Sequence, residues 1–301
     1  MRQIPLAGNM LGGQRATPPE KTGERRNLVS AIRRHPLVAF FVLTYALSWW
    51  VVPFGWDQFL FLATGPLLAA LIVLALTEGR AGLRDLGSRM LLWRVGWTWY
   101  ALAIALPLAV HLLTVGLNVA LGAGAPSLAQ FSPWYVVFVV FAVRLINPLD
   151  GPLAEEPGWR GFAQPRLQAN RSPLLATLIL GLLVASWHLP LWVLPQFGLS
   201  PTDILSDFLA TVAVTLWYAW LFNHTGGSVL MTLVAHATEG SIQTEQFWSA
   251  GPAAARTSLL YAFVWCVVAI VLVVFDWQFW RNLTPAPATV QPVYEDESRV
   301  R

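Results

Sequence analysis

Charge is scarce in this sequence: Asp, Glu, Lys and Arg make up 12% of its 301 residues. A soluble globular chain usually carries about a quarter, so there is too little polar surface here to keep a folded body of this size in water. Cysteine is nearly absent. Cys266 is the only one, which excludes an intrachain disulfide and a cysteine metal cluster. Lysine is down to one residue, Lys21, against 18 arginines, a bias that suggests a GC-rich bacterial genome. Short segments of alternating polarity, the signature of an outer-membrane barrel, are missing too. So is the short apolar region of a cleaved signal peptide, because the polar, basic residues 1–35 run straight into a long apolar span.

What the sequence does have is apolar length. Hydrophobic residues make up 56% and the mean hydropathy is +0.55. They gather into stretches of about 18 or more, enough to cross a hydrocarbon core of roughly 30 Å as helices. The fold class expected is all-α, a polytopic membrane bundle of about eight spans: 36–54, 59–77, 97–121, 134–156, 173–194, 204–223, 228–246 and 257–278. Pro152, Pro157, Pro190, Pro195 and Pro201 punctuate span ends, where a missing N–H stops a helix. Three regions follow: a basic N-terminal segment (1–35), a transmembrane bundle (36–280) and a Pro-rich, charged tail (281–301) expected to be disordered.

The basic residues separate by side. Seven lie in the N-terminal segment, four after the second span (Arg80, Arg84, Arg89, Arg94), three after the fourth (Arg160, Arg166, Arg171) and three in the tail. On eight spans all of these share one face, with Arg256 opposite and Arg144 inside span four. Excess Lys/Arg marks the cytoplasmic face, so both termini are expected there, in a bacterial inner membrane. The pI near 9.3 is thereby accounted for without nucleic acid as a partner. Residues 80–95 alternate arginine with leucine and read as a short interfacial helix. Trp49, Trp50, Trp56, Trp93, Trp97, Trp99, Trp134, Trp277 and Trp280 fall near span ends and read as an aromatic belt.

Ionisable groups inside a bilayer cost roughly 2.5–3.5 kcal/mol each on insertion scales, so those present are functional candidates. They are Arg144, Asp150, Glu155 and Glu156 in or near span four, His188 in span five, His236 and Glu239 in span seven, and His111 in span three. Asp207 and Glu245 lie near the outer ends of their spans. Adjacent helical residues point about 100° apart, so Glu155 and Glu156 answer to different partners, with Arg160 one candidate. The plainer reading of this pair is a Glu–Arg closure of the helix end. His188 and His236 have plain readings as interhelical hydrogen-bonding groups. Together with the glutamates they form a set that suits a metal with an open position or a water activated without one. His35, His111 and His224 read as structural. Arg144 either snorkels or pairs with an internal carboxylate.

The run Glu155-Glu156-Pro-Gly-Trp-Arg160-Gly-Phe resembles the EExxxR motif of the CPBP family, the CAAX-protease and bacteriocin-processing intramembrane proteases also called Abi. Val184-Ala-Ser-Trp-His188 resembles its FxxxH motif, with valine for phenylalanine, and His236-Ala-Thr-Glu-Gly240 its HxxxN motif. The likeness covers about 130–245. It implies that Glu155 and His188 activate the hydrolytic water, that Glu156 and Arg160 support the site, and that His236 stabilises the oxyanion beside the asparagine of the third motif. If a metal is used, Glu155, His188 and His236 are the ligands expected, a set that suits zinc; the same groups suit glutamate-driven hydrolysis, the reading slightly preferred, for which no cofactor is expected. The sequence departs from the motif at Gly240, which has no side chain to donate. Losing one oxyanion donor typically costs about 10²–10³ in kcat. Thr238, Ser241 and Gln243 are the neighbours able to stand in.

The function expected is therefore an intramembrane endopeptidase acting on a peptide or protein at the membrane, near the cytoplasmic half of the bilayer. The alternative is a non-catalytic relative that acts in bacteriocin immunity or binds membrane proteins, for which Gly240 is the best support. A small proton-coupled transporter shares the buried acids, but the sequence has no inverted repeat.

Overall fold

The computed structural model describes residues 21–54, 61–194 and 198–283. Residues 1–20, Trp56, Pro195 and the tail from 284 onward, on all of which the sequence carries expectations, lie outside the described residues. Every regular element among the described residues is helical. In chain order they are α1 (Lys21–Arg34), α2 (Pro36–Trp49), α3 (Gly65–Thr77), α4 (Gly79–Met90), α5 (Trp97–Ala120), α6 (Val136–Ile146) and α7 (Gly151–Glu156). Two π-helical turns over Pro157–Ala163 join α7 to α8 (Gln164–Gln168). Then come α9 (Pro173–Trp187), α10 (Leu189–Val193), α11 (Pro201–His224), α12 (Val229–Glu239), α13 (Gly251–Phe275) and α14 (Trp277–Arg281).

Starts are set by local chemistry. Ser200 and Asp203 form a reciprocal capping box at α11, which satisfies two of the donors that a helix start leaves open. Ser172 and Ser228 cap α9 and α12 in the simpler way. Gly226 and Gly227, at φ 66° and 84°, supply the left-handed turn between α11 and α12 that a side chain would resist.

The chain is an integral membrane protein, and its surface is turned inside out relative to a soluble one. Phe275 is 93% exposed and Trp97 77%, while Thr44, Thr114, Asn118, Glu156 and Arg160 are buried. Among the described residues, however, five helical stretches are long and apolar enough to cross a membrane, not eight. These are Pro36–Phe54, Trp97–Ala120, Val136–Gln168, Pro201–His224 and Gly251–Phe275. Helices α3, α9 and α12 have 13, 15 and 11 residues. At 1.5 Å per residue they extend only about 16–23 Å, short of a core of roughly 30 Å. The punctuation explains the shortfall. Pro66 starts α3 late, Pro190 and the turn at His188 interrupt the fifth apolar stretch, and α12 is confined between Ser228 and Gly240.

Helix α11 runs along the centre, against α9, α12 and α13, and α5 closes over α12 and α13. One apolar cluster gathers Trp217, Trp265 and Trp280 around this group. A second gathers Phe40, Trp159, Phe162 and Trp187 where α2, α3 and α9 enclose the π-helical turns. Trp280, expected in the aromatic belt, is fully buried and donates Nε1–H to the Leu272 carbonyl. Trp93, Trp97 and Trp134 are exposed. The arginine–leucine stretch is helical over α4 only. There Arg89 is buried against Asp85, and Ser228 donates to the Leu92 carbonyl at 2.7 Å. That contact fixes α4 and the residues after it at the α11–α12 turn.

Candidate active site

Asp150 opens the site. Its carboxylate accepts from the Gly151 N–H at 2.7 Å and starts α7, which carries Glu155 and Glu156 inward as its last two residues. The 100° step between them is used. Glu156, with no exposed surface, accepts from Arg160 Nη1 at 3.1 Å and from His236 Nδ1 at 2.9 Å, both on Oε1. Glu155 turns to another side and accepts from Trp159 Nε1 at 3.3 Å through Oε2. The carboxylates thus have separate partners, and the Glu–Arg closure is one half of the arrangement.

His236 projects from α12 onto Glu156. Its ring stacks on Tyr218 of α11 with centroids 5.4 Å apart, and the Arg160 guanidinium lies 4.9 Å over the same tyrosine ring. With Nδ1–H committed to Glu156, Nε2 is the ring nitrogen left for chemistry. His188 sits at the end of α9, its Nδ1–H donating to the Val184 carbonyl at 2.9 Å and its ring framed by Trp187, Trp192 and Phe61. Its Nε2 is likewise left over.

These side chains line one cavity of about 190 Å³: Glu155, Glu156, Arg160, His188, His236 and Glu239, with Asp207, Tyr218 and Tyr261. The spacing between its groups is fixed most tightly at the head of α7. A Cβ placed on Gly151 would stand 3.3 Å from Glu155 Oε1, 3.3 Å from His236 Nε2 and 3.2 Å from Arg144 Nη2. Three functional atoms therefore crowd the head of α7, and a glycine lets them approach its backbone this closely. The cavity continues through Asp207, Ala210 and Tyr261 into a vestibule of about 520 Å³, which Asp203, Glu245 and Trp248 also line.

Glu155, Glu156, Arg160, His188 and His236 are thus all brought to one cavity. Among the described residues no three His, Cys, Asp or Glu side chains gather closely enough to hold a metal ion. Glu239, on the His236 face of α12, accepts from the Tyr261 hydroxyl. His111 is buried and ties Thr244 to the Glu239 carbonyl, 3.0 Å each. His224 pairs with Asp276 at 2.9 Å, and His35 is exposed at the start of α2. Arg144 pairs with Asp150, Nη1 lying 3.2 Å from each carboxylate oxygen. Tyr218, Tyr261 and Gly151 gave no sign of themselves in the sequence: two tyrosines in apolar helices and a glycine before a proline carry no motif. The one available signal was that each sits on an element carrying, or facing, a buried acid.

A membrane-embedded helical bundle with paired acids and two imidazoles around one internal cavity is the class that these features define. Residues 131–239 match the family described as Type II CAAX prenyl endopeptidase Rce1-like. CAAX prenyl protease 2 of Methanococcus maripaludis is 28% identical over 134 residues, which cover 42% of this chain and 49% of that protein. The match is thus to the CAAX/CPBP-type intramembrane proteases, at the level of the family, and the chain spans about half the length of the curated relative. The family match takes in Arg144, both glutamates, Arg160 and both histidines, and stops one residue before Gly240.

Proposed function

We propose that this chain is an intramembrane endopeptidase that hydrolyses a peptide bond with a water activated by Glu155 and His188. The observation that carries this reading is that Glu155 Oε1 and His236 Nε2 both approach the head of α7 and that Glu155, His236 and His188 line one cavity. A water held there gives a proton to Glu155, oriented by His188 Nε2, and its oxygen attacks the carbonyl carbon. The carbonyl π pair moves onto oxygen. A protonated His236, held by Glu156 through Nδ1, presents Nε2–H to that oxyanion. Collapse breaks the C–N bond and Glu155 returns the proton to the leaving amine, so peptide and water become acid and amine. General acid–base catalysis of this kind contributes about 10²–10⁴-fold. Glu156 and Arg160 hold His236 in register and leave the attacking group to Glu155.

The substrate proposed is a peptide or protein segment that reaches the cavity through the vestibule. The shorter helices α3, α9 and α12, with their flanking turns, are read as completing eight crossings. Their reduced length leaves the cavity wet at depth, which a hydrolase requires. The non-catalytic alternative has Gly240 in its favour and the same cavity for binding.

Purified protein in liposomes, tested on a fluorogenic peptide panel against Glu155→Ala and His188→Ala, separates these readings. Cleavage is expected to fall by at least about 10² in each variant. Cleavage that a zinc chelator abolishes assigns the water to a metal, with Glu155, His188 and His236 drawn together as ligands. Equal turnover by folded wild type and both variants ends the protease reading in favour of binding.

A further inference from the structure

The end of α12 is occupied by a side chain from another helix. A Cβ placed on Gly240 would stand 2.3 Å from Arg144 Nη2, 2.6 Å from its Cζ and 2.8 Å from its Nε. The guanidinium therefore fills the volume that any side chain at 240 would need. The three neighbours able to supply a donor are committed elsewhere. Thr238 donates to the Val234 carbonyl at 2.8 Å, Ser241 to that of Ala237, and Gln243 to that of Gly240 at 3.0 Å.

Arg144 is held and only partly used. Asp150 grips Nη1 from both carboxylate oxygens. Nε is buried with no acceptor among the described residues. Nη2 lies 3.2 Å from the point over Gly151 that is 3.3 Å from both Glu155 Oε1 and His236 Nε2. A cationic donor thus stands close to both Glu155 Oε1 and His236 Nε2 at the head of α7.

We propose that Arg144 is a catalytic residue whose Nη2–H donates to the oxyanion of the tetrahedral intermediate, a role that the missing side chain at Gly240 makes room for. The inference rests on the hydrolase reading above. No bond forms between Arg144 and substrate and its proton stays on nitrogen; the arginine meets the charge as it moves from the attacking oxygen to the carbonyl oxygen. Hydrogen bonds in which one partner is ionised are roughly twice as strong as neutral ones. Asp150 fixes the fork beforehand, so little reorganisation is needed when the charge appears.

The test uses the full chain in liposomes and a peptide that wild type cleaves and Glu155→Ala does not. Arg144→Ala is expected to lower kcat by about 10²–10³, with KM changed by less than about threefold. Arg144→Lys keeps a charge opposite Asp150, guards against loss of folding, and is expected to lose kcat as well. Gly240→Asn placed in the Arg144→Ala background puts an amide donor into the vacated volume and is expected to restore at least about tenfold of the lost rate, part of what one such donor is worth. A peptidyl phosphinate, which carries a tetrahedral anion, is expected to bind Arg144→Lys more weakly than wild type while an uncleaved peptide of the same sequence binds both alike. Wild-type kcat in both Arg144 variants overturns the proposal, as does a loss that Gly240→Asn fails to restore together with unchanged phosphinate affinity. Failure of the hydrolase reading is separate, since it shows as wild-type turnover no greater than that of Glu155→Ala.

Discussion

Glu155 and Glu156 are chain neighbours, but in the proposed mechanism one faces the attacking water while the other orients an imidazole. The helical step between them sends Glu156 towards Arg160 and His236 and Glu155 towards Trp159. Gly151 has the complementary task of leaving room. Its φ lies outside the left-handed region, so alanine is tolerated by the backbone and its cost lies in crowding. The added methyl would press on Glu155, His236 and Arg144 at 3.2–3.3 Å, moving each by a few tenths of an ångström. Misplacement by about 1 Å can cost 10²-fold in rate. Gly151→Ala is therefore expected to lower kcat about tenfold, a fraction of that limit, with the melting temperature of the purified protein little changed. Full activity in this variant would show that the three atoms are not poised around that point.

At the scale of elements, the π-helical turns tolerate little change. A Cβ on Gly158 would lie 2.5 Å from the Pro66 carbonyl oxygen and 2.6 Å from its carbon. Backbone meets backbone there, as small residues permit between membrane helices, and neither side can yield cheaply. Gly158→Ala is expected to destabilise the folded protein by about 1–3 kcal/mol, read as a lower melting temperature in detergent, with activity reduced through the shift of Glu155 and Arg160. An unchanged melting temperature would mean that α3 can move away freely.

The same elements show what the sequence could convey. The run from Glu155 to Arg160 is local, so its spacing already implied an i,i+4 pair, and His188 and His236 stood out as imidazoles in apolar spans. The apolar runs carried the helical bundle but overstated how many of its helices are long enough to cross a membrane, because hydropathy registers composition while Pro66, Pro190 and Gly240 set where the helices stop. Arg144 meeting Gly240, and Tyr218 touching both Arg160 and His236, depend on pairings between helices far apart in sequence, which no local pattern encodes.

Across the whole molecule the charges are polarised along α11. Its first turns, with those of α13, line the vestibule beside Asp203, Asp207 and Glu245. At its other end the turn into α12 packs on arginine-rich α4, where a Cβ on Gly227 would stand 2.6 Å from Arg89 Nη1. The acidic mouth and the basic end are therefore opposite poles of a helix 24 residues long, about 36 Å at 1.5 Å per residue. If the arginine-rich face is the cytoplasmic one, as the arginine excess leads us to expect, the vestibule is predicted to open on the outer side, and a peptide would enter from there and not from the cytoplasmic half in which the cut is expected. Two single-cysteine forms in a Cys266→Ala background test the orientation. Ser249→Cys lies in the vestibule wall and Ser88→Cys on the exposed face of α4. In intact cells a membrane-impermeant maleimide is expected to label the cysteine at 249 and to reach the one at 88 only after lysis. The reverse pattern would turn the molecule over against the arginine count, place the acidic mouth in the cytoplasm, and put the cleavage site in the cytoplasmic half where the protease reading expects it.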